Sequence, residues 1–503
     1  MGSIPFLFSW YIMMTIAANI PVNGYRNNRH QPYEKKRSSR PNIVLILADD
    51  QGWNDVGWNN PEVITPHLNW LARHGVILNN SYVQPLCTPS RAAILTGKYP
   101  HRLGLQWSVI GENQQKFVPR KTPMLAEKLR QRGYRTHITG KWHLGHCSDD
   151  LTPTSRGFDS FFGILRGWSD HFTRILDWSQ ITMRSSEQVA SYDFWRNKNV
   201  YLLQDGSYNT DLFTEEAVKI IDAHDQKKSP MFLYLPYTSP HFPLQVPQTF
   251  KNLYQNVTDP KRQTYLGMVS SLDFSVGRVV TALKRNGFMD NTVIIYLSDN
   301  GGAQNFGGSN LPFRGDKSDL WEGGTKSVGF VYSPKFLGQQ GCIHSGMIHA
   351  VDWFPTILDI AGHNQGVLSK IDGVSQWQYI KQCYGSARNE FVYNIDDFVA
   401  KSAAIRVGDY KLILGDPRVN VFDPIINLPV PIDPNNREVR LFNLKSDPSE
   451  GHNLASEMPD QVILIIGKLH EYRRDSIAAQ NPVNLSPNIT QSCGILALGW
   501  CDL

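Results

Sequence analysis

The strongest constraint on the fold is a repeated pattern in which a short apolar run ends in a polar cluster. The run at 42–48 leads into LADDQG, and runs at 134–145, 231–237 and 292–302 contain or lead into GKWHLG, YTSPHFP and LSDNGG. Such runs, alternating with amphipathic helical stretches, predict an α/β fold with a largely parallel sheet and helices on both faces. Ligands of these sheets bind beyond the carboxyl ends of the strands, so the polar clusters are candidate functional sites.

The order of the predicted elements divides the chain. Helices are predicted at 65–75, 123–133, 210–225 and near 263–286. After about residue 385, 403–414 and 437–444 alternate like antiparallel strands, and a helix is expected around 458–476. Because 503 residues exceed what one core usually holds, we predict a large domain at 41–385 and a smaller C-terminal domain at 386–503.

The N-terminus has the composition of a secretory leader. Residues 1–24 are predicted to be a cleaved signal peptide, although no positive charge precedes the apolar run; an uncleaved anchor is the alternative. No later run is expected to be apolar enough to cross a bilayer. The secretory pathway, either lysosomal or extracellular, is therefore expected. Four glycosylation sites of the form Asn-x-Ser/Thr are predicted: Asn79, Asn256, Asn484 and Asn488.

The formal net charge of +5 is confined to one short segment. Residues 25–40 hold six of the 50 Lys and Arg residues and one of the 45 Asp and Glu residues, which leaves 44 of each elsewhere. We interpret 25–40 as a basic disordered leader. The neutral remainder argues against nucleic acid as a partner and favours small or terminal substrates over long polyanions.

The six cysteines do not form a disulfide scaffold, and no pair has metal-site spacing. Cys493–Cys501 is the simplest local disulfide, and Cys342–Cys383 is a plausible second one. If Cys87 serves chemistry, one of the other five cysteines stays unpaired.

The first candidate site is Asp49-Asp50, directly after the first predicted strand. Adjacent carboxylates are costly at such a position unless a cation or basic side chains neutralise them, and hard divalent cations take oxygen ligands. A turn or a helix cap is the structural alternative.

The second candidate is Cys87, followed by Thr-Pro-Ser-Arg and AAILTG. Pro89 and Ser90 suit the first turn of a helix, which places Cys87 at a helix N-terminus. There the backbone amides favour an anion, and the pKa of the thiol is expected to fall. An inert cysteine is the alternative.

The remaining candidates also lie at predicted strand ends. A strand would direct Lys141 and His143 to the same face, as suits an anionic substrate. His241 stands between prolines, and Asp299 and Asn300 could supply oxygen ligands. Taken alone, Lys141 and Lys317 could be surface lysines, and His143 and His241 could be structural histidines. Asp299 and Asn300 could belong to an Asx-type turn.

Together these motifs resemble one family. Cys87-Thr88-Pro89-Ser90-Arg91 followed by Thr96-Gly97 matches the type I sulfatase signature C-x-P-S-R-x-x-x-x-T-G. The amino-acid sequences of these motifs are most similar to those of the arylsulfatase B, I and J group. The resemblance covers roughly residues 41–480. It implies an alkaline-phosphatase-like sandwich with a large mixed, mostly parallel sheet, plus a smaller domain with an antiparallel sheet and a helix. It also implies that a formylglycine-generating enzyme oxidises Cys87.

The resemblance further implies a role for each candidate. One Ca²⁺ ion would be held by Asp49, Asp50, Asp299, Asn300 and the formylglycine at position 87. Arg91 and His143 would position the formylglycine hydrate. Lys141, His241 and Lys317 would contact the sulfate and the ester oxygen. Segment 106–122 lacks the cysteines that the arylsulfatase B group carries there. This departure leaves the choice among a sulfated sugar, an aryl sulfate and another small sulfated metabolite open.

Two other functions remain as alternatives. A phosphodiesterase or phosphatase on the same fold would usually carry Thr or Ser at the nucleophile position and two metals. A catalytically silent protein that binds sulfated ligands is the second alternative, although none of the expected site residues is missing.

Overall fold

The computed structural model describes residues 40–112, 114–176, 191–203, 206–362, 370–418, 422–423, 428–429 and 435–480. The predicted signal peptide and basic leader lie outside these residues, as do Asn484, Asn488, Cys493 and Cys501. The domain boundary after residue 385 stays a prediction.

The described strands are β1 (Asn42–Ala48), β2 (Val76–Leu78), β3 (Ser81–Tyr82), β4 (Arg135–Lys141), β5 (Ser160–Ile164), β6 (Ile175–Leu176), β7 (Ser191–Tyr192), β8 (Trp195–Arg196), β9 (Asn199–Val200), β10 (Met231–Pro236), β11 (Thr292–Ser298), β12 (Gly329–Tyr332), β13 (Cys342–His344), β14 (Ile348–His349), β15 (Glu390–Asp396), β16 (Ser402–Val407), β17 (Tyr410–Leu414), β18 (Phe422–Asp423), β19 (Leu428–Pro429) and β20 (Val439–Asn443). The α-helices are α1 (Pro66–Arg73), α2 (Cys87–Thr96), α3 (Leu125–Gln131), α4 (Asn209–Ala223), α5 (Gln248–Lys251), α6 (Pro260–Arg285), α7 (Glu322–Thr325), α8 (Trp353–Ile360), α9 (Trp377–Gln382) and α10 (Pro459–Arg473).

Ten strands form a large mixed sheet in the order β13-β2-β12-β11-β1-β10-β4-β5-β8-β9. The central strands β11, β1, β10, β4 and β5 are all parallel to their neighbours in this group. In register, Ala48 lies opposite Ser298 and Leu47 lies opposite Pro236. The carboxyl ends of β1, β10 and β11 therefore reach the same edge of the sheet, as the sequence predicted.

Helices cover both faces of this sheet. Alternate residues of β1 belong to two different core clusters, because successive side chains of a strand point to opposite faces. One cluster includes residues of α2, α3 and α8, and the other includes residues of α1, α4 and α6. This two-sided burial explains why β1, β10 and β11 are almost continuously apolar in sequence.

A second, antiparallel sheet has the order β15-β16-β17-β20. The predicted alternating stretch 403–414 is a hairpin of β16 and β17, which turns at Gly408 with a φ of 58°. Helix α10 contacts this sheet, and its buried residues are Ile465 and Leu469. The predicted antiparallel sheet with a helix is thus present.

The expectation that no later segment is apolar enough to cross a bilayer was wrong for helix α6. Its 26 residues are long and apolar enough to span a bilayer, although no run after the leader was expected to be. However, 83% of its most apolar window is buried inside the fold. The apolar character of α6 is therefore explained by its place in the core.

One predicted disulfide is confirmed, and two of the predicted glycosylation sites lie among the described residues. Cys342 and Cys383 form the expected disulfide, and Cys147 is also disulfide-bonded. Cys87 is a free, buried thiol. The side chains of Asn79 and Asn256 are exposed, so both are accessible to glycosylation, which stays a prediction.

Candidate active site

The polar residues that follow the central strands converge at one edge of the large sheet. Asp49 and Asp50 follow β1, Lys141 ends β4, and Asp299 follows β11. Asp50 has a φ of 66°, in the left-handed region, so the chain turns sharply between the two carboxylates. The backbone amide of Asp50 donates to Asp299 Oδ1 at 3.2 Å, which joins the two loops.

Asp49 forms a buried ion pair with Lys141. Lys141 Nζ lies 2.7 Å from Asp49 Oδ2 and 3.0 Å from Asp49 Oδ1, and both side chains are buried. Ordinary water cannot solvate these charges, so each depends on the other.

Asp50 is the centre of a second group of charges. Lys317 Nζ donates to Asp50 Oδ2 at 2.6 Å, and Asn300 Nδ2 donates to Asp50 Oδ1 at 2.7 Å. His241 Nε2 lies 3.6 Å from Asp50 Oδ2. Burial pushes the pKa of Asp50 upward, but the charge of Lys317 and the hydrogen bonds from Lys317 and Asn300 hold it well below its usual range. Asp50 is therefore an anion that anchors both Lys317 and His241.

Asp299 is held by Arg91, which comes from the cysteine motif. Arg91 Nε and Nη2 both donate to Asp299 Oδ2, and Nη1 donates to the carbonyl of Lys141 at 3.0 Å. Burial and the nearby charge of Asp49 raise the pKa of Asp299 to about 6, against the effect of Arg91. The arginine thus ties α2 to the ends of β4 and β11.

Cys87 begins α2, and its sulfur lies 3.6 Å from Asp49 Oδ1 and 4.0 Å from Asp50 Oδ1. Ser90 fixes the entry to this helix, because its Oγ accepts from the amide of Gln84 and donates to the carbonyl of the same residue. The expectation of a lowered thiol pKa was wrong. Burial raises the pKa of Cys87 to about 12, and the charges of Lys141 and Lys317 do not compensate for it.

The prediction that His143 and Lys141 share one face of a strand was wrong. Strand β4 ends at Lys141, and His143 has a φ of 58°. Its Nε2 faces the carbonyl of Ile110 at 2.9 Å, so this nitrogen carries the proton. Its ring packs against Gly167, where a Cβ would lie 2.7 Å from the ring. Burial and the charge of Lys141 lower the pKa of His143 well below its usual value, so the imidazole is neutral.

A row of aromatic rings begins at His241. Its ring stacks on Phe242 at 4.3 Å, and Phe242 stacks in turn on Phe306 at 4.8 Å. Trp168 lies 5.4 Å from Phe242. Phe242 and Phe306 are half-buried. We call Trp168, Phe242 and Phe306 the aromatic wall, and it offers apolar surface next to the charged centre.

Comparison with known proteins identifies this arrangement. The sulfatase family profile matches residues 41–363. The chain belongs to the sulfatase family.

Its relatives share most of its length. Arylsulfatase J of Mus musculus is 37% identical over 477 residues, which cover 88% of this chain and 78% of that protein. N-acetylgalactosamine-6-sulfatase of Mus musculus is 31% identical over 388 residues, or 74% of this chain and 71% of that protein. The crystal structure of Ps i-CgsB is 30% identical with a TM-score of 0.76, and the match covers 88% of this chain and 94% of that one. The predicted fold class is thereby confirmed.

The residues of this sulfatase fit a divalent cation. Ligand atoms of Asp49, Asp50, Cys87 and His241 all lie within 4.8 Å of one another. Asn300 Oδ1 is buried and, among the described residues, has no hydrogen-bond donor. Three carboxylates of the site balance three cations, so a divalent cation would leave two excess positive charges for an anionic ester. His241 joins this group although it was not predicted as a ligand.

Several supporting residues of the sulfatase site were not found from the sequence. Tyr265 Oη, on α6, donates to the carbonyl of Asp50 at 2.9 Å and lies 2.8 Å from Asp55 Oδ2. Ser298 Oγ accepts from the amide of Gln51 and donates to the carbonyl of Asn300. His171 Nε2 lies 3.1 Å from the carbonyl of His241. No motif marks these residues, because their contacts depend on distant segments meeting.

Proposed function

We propose that this sulfatase is an active sulfuric ester hydrolase that uses a formylglycine made from Cys87 and one bound Ca²⁺ ion. The observation that carries the proposal is the position of Cys87, which begins α2 within 4.0 Å of two carboxylates. Each of those carboxylates is paired with a lysine.

The high pKa of Cys87 in the folded protein argues against the unmodified thiol as the nucleophile. With a pKa of about 12, the unmodified thiol is almost entirely protonated at neutral pH and is a poor nucleophile. The hydrate of a formylglycine would supply one hydroxyl to attack sulfur and a second whose deprotonation releases sulfate. A plain Cys or Ser lacks the second hydroxyl.

The proposed cation ligands are Asp49, Asp50, Asp299, Asn300 and the modified residue 87. A bound Ca²⁺ would favour ionisation of the attacking hydroxyl and offset negative charge on the sulfuryl oxygens. Arg91 keeps Asp299 oriented toward this group through two hydrogen bonds.

Lys141, Lys317 and His241 are proposed to bind the sulfate group and the leaving oxygen. Lys141 and Lys317 are held over Asp49 and Asp50, so they can stabilise negative charge that develops in the transition state. Burial, partly offset by the charge of Asp50, lowers the pKa of His241 well below its usual value, and a bound anion would raise it again. His241 or Lys317 would protonate the leaving alkoxide.

His143 is proposed to accept the proton of the second hydroxyl. Its Nε2 carries the proton that faces Ile110, so Nδ1 is a bare acceptor. Nδ1 is buried and has no hydrogen-bond partner in the part of the chain that the structure describes. A neutral imidazole with one open nitrogen is suited to general-base catalysis.

The proposed substrates are small molecules or terminal sugars that carry a sulfate ester. The aromatic wall beside His241 would contact the leaving group, as aromatic rings contact aryl groups or the apolar face of a sugar. One relative acts on N-acetylgalactosamine 6-sulfate by its name, which supports a sulfated sugar. We also propose a secretory location, lysosomal or extracellular, and maturation by a formylglycine-generating enzyme.

The deciding experiment is mass spectrometry of the tryptic peptide 74–91 from protein secreted by a eukaryotic host, after enzymatic removal of any glycan on Asn79. Oxidation of Cys87 to formylglycine lowers the peptide mass by about 18 Da. Cys87→Ala should then remove all hydrolysis of aryl sulfates while the protein remains folded. An unmodified peptide, or wild-type turnover by Cys87→Ala, would refute the proposal.

Two other functions would then be tested. A silent protein that binds sulfated ligands would still bind a sulfate ester without turnover, which calorimetry would detect. A phosphodiesterase or phosphatase would hydrolyse phosphate esters faster than sulfate esters.

A further inference from the structure

Lys116 is a buried lysine in the segment between α2 and α3. Its Nζ donates to the backbone carbonyls of Trp107, Ser108 and Val109, the last two at 3.3 and 3.5 Å. The side chain is only 1% exposed. Burial lowers the pKa of Lys116 to about 7, against the opposing charge of Asp396. In its protonated form the ammonium has three N–H donors, one for each of the three converging carbonyls.

These three carbonyls immediately precede Ile110, which contacts the active site twice. The carbonyl of Ile110 accepts from His143 Nε2 at 2.9 Å. The amide of Ile110 donates to Thr88 Oγ1 at 3.2 Å, and Thr88 Oγ1 donates to the carbonyl of His143 at 3.1 Å. Thr88 is adjacent to Cys87. The backbone of Ile110 is thus inserted between the helix that carries Cys87 and the loop that carries His143.

The conformation of 107–110 is not maintained by regular secondary structure. No helix or strand includes these residues, and Ser108 has a φ of 53°. Ser108 is not a glycine, so this left-handed conformation needs support from its surroundings. The hydrogen bonds from Lys116 provide that support, because they turn three successive carbonyls toward one point.

We propose that Lys116 is a positioning residue for His143: by gathering the carbonyls of 107–109, it holds the Ile110 carbonyl against His143 Nε2 and so keeps Nδ1 unprotonated. This inference rests on the proposed function of His143 as the base. Lys116 contacts neither substrate nor reacting atoms.

The prediction concerns whether one atom, Nδ1 of His143, carries a proton. Without the ammonium, three carbonyls lose their donor, and the segment 107–109 rearranges to reach water. The Ile110 carbonyl then moves away from Nε2, and the imidazole is free to carry its proton on Nδ1 instead. In that tautomer Nδ1 is a donor and cannot accept a proton.

The test compares Lys116→Met with a matched control, Lys261→Met. Lys261 also donates from Nζ to a backbone carbonyl, that of Asn305 at 3.1 Å, but it is exposed and its partner belongs to a different segment from 107–110. Each protein is labelled with [¹⁵N]histidine, and the His143 signals are assigned by their loss in His143→Gln. The ¹⁵N shifts report which ring nitrogen carries the proton.

We expect wild type and Lys261→Met to show the Nε2–H tautomer of His143, and Lys116→Met to show a mixture or the Nδ1–H form. We also expect kcat of Lys116→Met to fall about 10- to 100-fold with little change in KM, since a general base contributes roughly 10²- to 10⁴-fold. A wild-type tautomer in folded Lys116→Met would overturn the inference.

If Lys116→Met does not fold, Lys116→Gln provides the same comparison. Its amide keeps two N–H donors for the carbonyls, so a partial shift of the tautomer is expected, and an unchanged tautomer refutes the inference. The tautomer measurement does not need turnover. Failure of the proposed hydrolase activity would appear separately, as an inactive wild type with an intact Nε2–H signal.

Discussion

Arg91 and Asp299 lie 208 residues apart in sequence and meet through two hydrogen bonds, from Nε at 2.9 Å and from Nη2 at 2.8 Å. Both side chains are completely buried. The pair joins the helix that begins with Cys87 to the end of the central strand β11. The geometry of this pair therefore affects both the stability of this edge of the sheet and the position of Cys87.

Arg91→Met should be strongly destabilising. The substitution keeps an apolar stem of similar length but leaves Asp299 as a buried carboxylate without its partner, which costs about 3–5 kcal/mol of unfolding free energy. Urea denaturation measures the change. Arg285→Met is the control, because the Arg285–Asp222 pair is exposed to water and should contribute little to stability. Equal losses in the two variants would contradict this account.

Phe306→Ala should change substrate selection rather than the chemical step. Removal of one ring of the aromatic wall takes away apolar contact with the leaving group, so KM for an aryl sulfate should rise several-fold. KM for a small alkyl sulfate should change much less. Steady-state kinetics with both esters provide the measurement, and Phe274→Ala, at an exposed phenylalanine on α6, is the control. The same rise for both esters would show that the wall does not contact the leaving group.

Asp273 on α6 should contribute to stability by capping α1. Its Oδ1 accepts from the amide of Leu68 at 2.7 Å, and its Oδ2 accepts from the amide of His67 at 3.2 Å. Asp273→Ala leaves two amides of the first turn without acceptors, which should cost about 1–3 kcal/mol. Thermal and urea unfolding measure the loss.

The control for this variant is Asp259→Ala, which removes an exposed cap of α6 where the side chain accepts from the amide of Lys261. A cap of this kind contributes about 1 kcal/mol. A smaller loss of unfolding free energy in Asp273→Ala than in Asp259→Ala would contradict the proposed capping of α1 by Asp273.

Glu450 should make the protein less stable as the pH rises. Burial raises its pKa from 4.5 to about 7, although Lys411 opposes the shift. The folded state therefore binds more protons than the unfolded state between pH 4.5 and 7, and stability falls across that interval. The neighbouring Glu322 has its pKa lowered to about 2, because Lys411, Lys326 and Arg406 outweigh burial. Its stabilising contribution is constant above pH 4.5 and is lost only as the pH falls toward 2.

Glu450→Gln should remove this pH dependence. Between pH 5 and pH 8, wild type should lose up to about 3 kcal/mol more unfolding free energy than Glu450→Gln does, since each unit of pKa shift corresponds to about 1.4 kcal/mol. Urea denaturation at the two pH values provides the comparison. Parallel losses would mean that Glu450 does not titrate in this range.

The central sheet could be predicted because its local and tertiary requirements agree. Strands β1, β10 and β11 are buried on both faces, so their sequences are continuous apolar runs with polar residues at the carboxyl ends. The same logic placed Asp49, Lys141 and Asp299 near one another. Their proposed catalytic and metal-binding roles stay predictions.

Other parts of the site could not be predicted because they depend on backbone turns or on distant contacts. His143 left its expected strand face because the chain adopts a φ of 58° there. The raised pKa of Cys87 follows from burial, which a helix N-terminus alone does not reveal. The aromatic wall joins Trp168, Phe242 and Phe306 from three separate segments, and no spacing in the sequence connects them.

The burial of α2 imposes an order on the biosynthesis of this protein. Every residue from Cys87 to Thr96 is buried, and Ser90 closes the loop in front of the helix with two hydrogen bonds. Another enzyme cannot reach the thiol once the chain has reached this state. Any catalyst that oxidises Cys87 must therefore act on the nascent or unfolded polypeptide, and a molecule that folds too early will keep its thiol for the rest of its lifetime.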